Sequence, residues 1–150
     1  MKKVIYVDFD GVLVDTPRLI NAEIKIKGNT DKTCQNFSWK YFLKNCHEIE
    51  NNFTYIKELS KKFEIIILTH VYSTNEQIEK QKFISEKLND IKVIPVPHYI
   101  DINVIVNPRG NILIDDYHIN IDKWNKSGGI GIYFNNEKRI DILINDYLKK

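Results

Sequence analysis

Cysteine is scarce in this chain: two in 150 residues, Cys34 and Cys46, with no C-x-x-C spacing. That excludes a disulfide framework and leaves no basis for a structural zinc site, so a reducing compartment is the default. Charge of one sign is missing too. Twenty-two Lys and Arg against 20 Asp and Glu leave a formal net charge of +2. No basic footprint for nucleic acid or an acidic membrane results, so neither partner is expected. No apolar run is long enough to span a bilayer, and no signal-peptide pattern precedes the first one, so a cytoplasmic protein is expected. The four histidines, His47, His70, His98 and His118, are dispersed, with no H-x-H or H-E-x-x-H pattern. Repeats, low-complexity tracts and linkers are also absent.

What is present is an ordinary globular composition, 43% apolar and 28% charged, at a length that suits one domain with a proper core. Five short runs are rich in Ile and Val: 3–10, 63–70, 91–96, 111–116 and 129–135. They are nearly continuous rather than alternating, as strands covered on both faces are. Between them lie segments of helical character. Residues 73–90 carry Ile78, Phe83, Ile84 and Leu88 at near-helical spacing, with Ser73 or Thr74 as N-cap. Residues 118–129 end in a glycine pair that stops a helix, Trp124 marks a face packed on the sheet, and 137–150 reads as a closing amphipathic helix. Strands alternating with helices predict an α/β domain with a mainly parallel sheet. One segment breaks the alternation. Residues 16 to 60 are too long for one crossover helix, so 17–48 is expected to be a small helical insertion leading into a helix within 51–63. The stretch 104–110 is compatible with a short strand or a loop.

Ligands of open parallel sheets bind beyond the carboxyl ends of the strands. The first run ends in Asp8 and Asp10, the second in Thr69 and His70, the fourth in Asp115 and Asp116. Strand alternation aims Asp8 and Asp10 the same way, and Gly11 permits a tight turn close to a ligand. If the three strands are neighbours, four carboxylates converge, and such a group needs a cation to stay ionised. An all-oxygen site suggests magnesium. One strand ending in Asp, or an isolated Asp-Asp pair opening a turn, has an ordinary structural explanation. The ordered conjunction of D-x-D-G-x-x-x-D, a hydroxyl, a helical lysine and a second acidic pair does not.

These stretches resemble the motifs of the haloacid dehalogenase (HAD) superfamily. "DFDGVLVD" is similar to its first motif, "IILTH" to its second and "ILIDD" to its fourth. "EKQKFISEKL" resembles the lysine motif of the 5'(3')-deoxyribonucleotidase branch, which favours Lys80 over Lys82. The resemblance implies a three-layer, Rossmann-like core (1–16 and 49–150) with residues 17–48 as a small helical cap. It implies a phosphatase, with Asp8 as nucleophile and Asp10 as general acid and base. Thr69, His70 and Lys80 would bind phosphate. Mg²⁺ would be held by Asp8, the main-chain carbonyl of Asp10 and the pair Asp115 and Asp116, with Asp116 as the direct ligand. The implied substrate is a small phosphorylated metabolite, a (deoxy)nucleoside monophosphate first. A sugar phosphate is the alternative, and a non-catalytic phosphate-binding domain a further one. Phe37, Trp39 and Tyr41 either stack on a base or form the cap's own core. Asn120 orients a water or starts a helix, Asp15 caps or braces the turn after the first motif, and Arg109 reaches substrate or stays an exposed loop residue. Oligomeric state is not set by the sequence.

Overall fold

The computed structural model describes residues 3–28 and 31–150. Residues 29 and 30 of the expected insertion lie outside the described residues. Five parallel strands form one sheet: β1 (Val4–Val7), β2 (Glu64–Val71), β3 (Lys92–Pro97), β4 (Ile112–Asp115) and β5 (Ile130–Tyr133). Their spatial order is β3-β2-β1-β4-β5, so β1 sits between β2 and β4. In register, Ile5 pairs with Ile65 on one side and Ile112 on the other.

The period of two along each strand divides the core into two layers. Ile5, Val7, Ile65, Ile67, Ile112 and Ile114 face one buried cluster. It is completed by Phe53, Ile56 and Leu59 of α4 (Asn52–Ser60), Ile84 of α5 (Thr74–Lys87), and Ile140 and Ile144 of α8 (Ile140–Leu148). Tyr6, Ile66, Leu68 and Leu113 face the other, where α6 (Ile102–Ile105) contributes Ile102, and α7 (His118–Lys126) contributes Ile121 and Trp124. Both sheet faces are therefore covered, which is why the strands are nearly continuous in apolar residues. Trp124 packs edge-on against Tyr6 with ring centroids 5.3 Å apart and donates to the Asn111 carbonyl at 3.1 Å. The stretch 104–110 is no strand: it holds the end of α6 and a loop, where Pro108 cannot donate to a ladder. Among the described residues no helix is long and apolar enough to cross a membrane.

Between β1 and α4 run α1 (Thr16–Lys27), α2 (Asp31–Gln35) and α3 (Trp39–Asn45). Pro17 enters in the first turn of α1, where its missing N–H costs nothing. The chain leaves and re-enters the core side by side. Asp15 N–H donates to the His47 carbonyl at 2.9 Å, and Ile49 N–H to the Leu13 carbonyl at 2.9 Å. The Asp15 carboxylate caps no helix. It braces this crossing, accepting from His47 N–H at 2.6 Å and Arg18 Nε at 2.8 Å. Burial is the largest single influence and raises its pKa, but these hydrogen bonds and the charges of Arg18 and His47 together outweigh it and hold the carboxyl below its usual value. Cys34, Phe37, Trp39, Phe42 and Leu43 of the insertion belong to the same cluster as Phe9 and Phe53.

Candidate active site

The sheet order places the ends of β2, β1 and β4 side by side. After Val7 the chain turns at once: Gly11 N–H donates to the Val14 carbonyl at 2.8 Å and Leu13 N–H to the Phe9 carbonyl at 2.9 Å. Gly11 holds φ of 78°, and a Cβ there would collide with the Asp116 carboxylate. Only glycine lets the two strand ends approach this closely.

Two adjoining groups of side chains result. In the first, carboxylate oxygens of Asp8, Asp115 and Asp116 all lie within 4.8 Å of one another. Burial, then the charges of Asp115, Asp10 and Asp116, push the Asp8 carboxyl well above the usual range. Burial likewise pushes Asp115 up to about 7, although hydrogen bonds from Asn120 and Tyr117 pull the other way. Asp116 is pushed up to about 6, again chiefly by burial. Each Asp115 oxygen has one protein donor: one accepts from Tyr117 N–H at 2.8 Å and the other from Asn120 Nδ2 at 2.9 Å. Asn120 is thus an orienting residue for Asp115.

The second group centres on Lys80. Its side chain is 1% exposed, and its ammonium donates to Asp10 Oδ2 at 2.5 Å, Thr69 Oγ1 at 3.2 Å and the His70 carbonyl at 3.0 Å. Glu76 Oε1 lies 2.7 Å from the same ammonium. Burial lowers the Lys80 pKa, but Asp10 and Glu76 outweigh it and the net shift is upward. Thr16 Oγ1 donates to the other Asp10 oxygen. Lys82 lies outside: it is exposed and faces Glu79 at 3.6 Å. The alternation that aims Asp8 and Asp10 the same way ends with the strand at Val7. Their carboxylates serve different groups, Asp8 the acidic one and Asp10 the lysine one.

Glu76 and Thr16 carry no role in the sequence reading. Glu76 does leave a signal. Ser73-x-x-Glu76 is a capping-box pattern, and Glu76 stands four residues before Lys80. In the structure Ser73 Oγ accepts from Glu76 N–H at 3.1 Å, and Glu76 Oε2 accepts from Tyr72 N–H at 2.6 Å. Thr16 leaves no comparable signal.

Beside Asp10, a cavity of about 240 Å³ runs under the insertion. Its apolar wall includes Ile20, Ile24, Phe37 and Trp39. Tyr41 is 56% exposed and does not line it. Two residues along a helix turn the side chain by roughly 200°, so Trp39 and Tyr41 cannot share a face. His70 lines the cavity, but its Nε2 lies 2.7 Å from the Ile100 carbonyl. A carbonyl only accepts, so Nε2 carries the proton and is spent there. Arg109 stands in the turn before β4, at the opposite end of the sheet. A larger surface groove of about 620 Å³, bordered by α4 and Arg139, contains none of the site residues.

No protein-family model and no curated protein sequence matches the chain. Solved structures do. A HAD-like family hydrolase from Xanthomonas campestris matches with a TM-score of 0.59 at 11% identity, over 92% of this chain and 85% of that one. A HAD family enzyme from Bacteroides thetaiotaomicron, solved with magnesium and inorganic phosphate, matches with a TM-score of 0.61 at 13% identity, over 95% and 99%. A HAD-like hydrolase from Streptococcus pneumoniae gives 0.63 at 13% identity, over 97% and 90%. Identities this low speak for architecture alone, and on that ground the chain has the haloacid dehalogenase fold.

Proposed function

We propose that the protein is a Mg²⁺-dependent phosphomonoester hydrolase that works through an aspartyl-phosphate on Asp8, with deoxynucleoside monophosphates as its preferred substrates. The observation that carries this is the pairing of the two groups at adjacent strand ends. Asp8 stands among the acids Asp115 and Asp116, while Asp10 is held by Lys80 and Thr16. The Bacteroides enzyme of this fold holds magnesium and phosphate, which supports the same ligands here.

An all-carboxylate set with raised pKa values suits a hard dication. Asp8, Asp116 and the main-chain carbonyl of Asp10 would hold it. Asp115 already accepts a protein hydrogen bond on each oxygen, so it supports the site from beside. Bound there, the ion would offset charge on the transferring phosphoryl group. An Asp8 oxygen attacks phosphorus as the bond to the leaving oxygen breaks, and Asp10, which enters this step protonated, gives that proton to the leaving oxygen. In the second step Asp10 takes a proton from water, whose oxygen attacks phosphorus. Inorganic phosphate leaves and the Asp8 carboxylate is restored. Thr69 and the backbone at His70 would orient the phosphate oxygens, and Lys80 would offset their charge. The insertion 17–48 acts as the cap that keeps water out, and Phe37 and Trp39 offer the base an apolar face.

Phosphate release from a panel of monoesters, with Mg²⁺ and with EDTA, tests the reading. We expect Mg²⁺-dependent turnover, with kcat/KM for dUMP and dTMP above glucose 6-phosphate and phosphoglycolate. A large preference for a non-nucleotide would remove the nucleotidase assignment and leave the phosphatase. No turnover of any ester would remove both.

A further inference from the structure

The cavity beside Asp10 carries a feature that the phosphatase chemistry does not use. Trp39 is 1% exposed, yet its indole Nε1–H has no hydrogen-bond partner. Buried donors are rarely left unpaired, because the lost hydrogen bond to water is not replaced. The protein occupies other parts of the ring. The Lys80 ammonium lies 4.6 Å from the ring centroid, and Phe42 meets the ring nearly edge-on at 5.8 Å. Trp39 is also one of the residues that line the cavity beside Asp10.

The charge around that cavity is as informative. Among the described residues no Lys or Arg lines it, whereas Asp10 and Glu76 do. Lys80, the nearest cation, already pairs with both of those carboxylates. A second anionic group held here, besides the phosphoryl group that Lys80 faces, would meet two acids and no further cation, a mismatch that rejects it. A polyol would fare poorly against the wall of Ile20, Ile24 and Phe37.

We propose that Trp39 is a specificity-determining residue: its indole N–H donates to one acceptor on an uncharged, largely apolar alcohol moiety of the phosphomonoester, held in the cavity beside Asp10. This rests on the phosphatase reading and narrows it. Esters whose alcohol part bears a carboxylate or a second phosphate are excluded. An uncharged, largely apolar alcohol that carries a hydrogen-bond acceptor is selected.

Two measurements test it. Trp39→Phe keeps an aromatic face for Lys80 and removes the donor. The ratio of kcat/KM for thymidine 5'-monophosphate to that for methyl phosphate, which has no such acceptor, should fall about tenfold, the change lying in KM, as expected for one lost hydrogen bond. A purely structural role for Trp39 would lower both substrates together and leave the ratio in place, which overturns the proposal. The second measurement needs neither turnover nor the variant's stability. The chain has two tryptophans, and Trp124 is already bonded to the Asn111 carbonyl. In ¹⁵N-labelled wild-type protein, thymidine should move the Trp39 indole resonance, and glycolate should not. A Trp39 indole unmoved by saturating thymidine overturns the proposal. Absence of hydrolysis of every ester would instead overturn the phosphatase reading, and the thymidine titration would still decide this one.

Discussion

Asp8 is the residue on which chemistry and stability pull in opposite directions. Its carboxyl is half-buried beside Asp115, Asp10 and Asp116, so ionising it costs folding free energy. Asp8→Asn keeps the shape and removes the charge. We expect turnover to fall at least about a thousandfold, since the nucleophile is gone. The same variant should be more stable without metal, by about 2–4 °C in Tm for each kcal/mol of relieved repulsion. Steady-state assays and thermal melts in EDTA check both halves. A variant with normal turnover would remove Asp8 as nucleophile, and one that melts far lower would show that the carboxyl is structural. Asp10→Asn should also cripple turnover, but it should lower stability rather than raise it, because Asp10 accepts from both Lys80 and Thr16 and its charge helps to compensate the buried ammonium.

At the scale of elements, α5 shows how a helix start can build part of a site. Ser73 caps it, Glu76 reaches back to the Tyr72 N–H, and one turn on Lys80 takes the other Glu76 oxygen. Both side chains of the ion pair are at most 2% exposed. Removing Glu76 takes one of the two carboxylates from the buried ammonium and leaves it Asp10 alone, so Glu76→Ala should cost clearly more than the about 1 kcal/mol of Ser73→Ala, which removes only the cap. Urea titrations of the two variants would show it. Equal losses would mean that Glu76 acts merely as a cap. The five strands and four of the helices were legible in the sequence because their patterns are local: unbroken Ile and Val for strands covered on both faces, period 3.6 for α5. Asp8, Asp10, Thr69 and the acidic pair stood out by their order along the chain and their place at strand ends, whereas Lys80 was preferred to Lys82 only by the family resemblance of its motif. Other features were not. That Asp10 belongs with Lys80 rather than with Asp8 depends on where β1 stops, and strand ends are set by the turn at Gly11. The contact of Thr16 with Asp10 depends on how the chain folds back into α1. Whether Phe37 and Trp39 pack or bind had no answer in the sequence, because in the structure they do the first while also lining the cavity.

For the molecule as a whole, the parallel sheet concentrates acid at one end, and that has a consequence for stability that can be measured without any substrate. An acid whose pKa is raised by folding carries no penalty below its unfolded value, where it is protonated in both states. Above that value the unfolded chain ionises and the folded one does not, so the unfolded state binds fewer protons and stability falls as pH rises. The fall ends once the folded group ionises as well. For Asp116 that point is about 6 and for Asp115 about 7, with Asp8 also raised well above its usual value. The metal-free protein should therefore lose stability steadily between about pH 4, the unfolded carboxylate value, and about pH 7. Acids with lowered pKa values, such as Asp15 and Asp141, act in the opposite sense. Their contribution is lost as pH falls below about 4, outside this window. Millimolar Mg²⁺ should reverse the trend at the alkaline end, because a cation bound only by the folded state stabilises it by mass action. At about pH 5 it should do little, since protons compete for the same oxygens. Melting curves in EDTA and in Mg²⁺ across this range read the effect directly. Asp115→Asn should flatten the EDTA profile by removing one titrating acid. A Tm that stays level or rises from about pH 5 to about pH 7 in EDTA would mean that the acidic cluster is not held under electrostatic strain, and would take away the physical reason for a cation there.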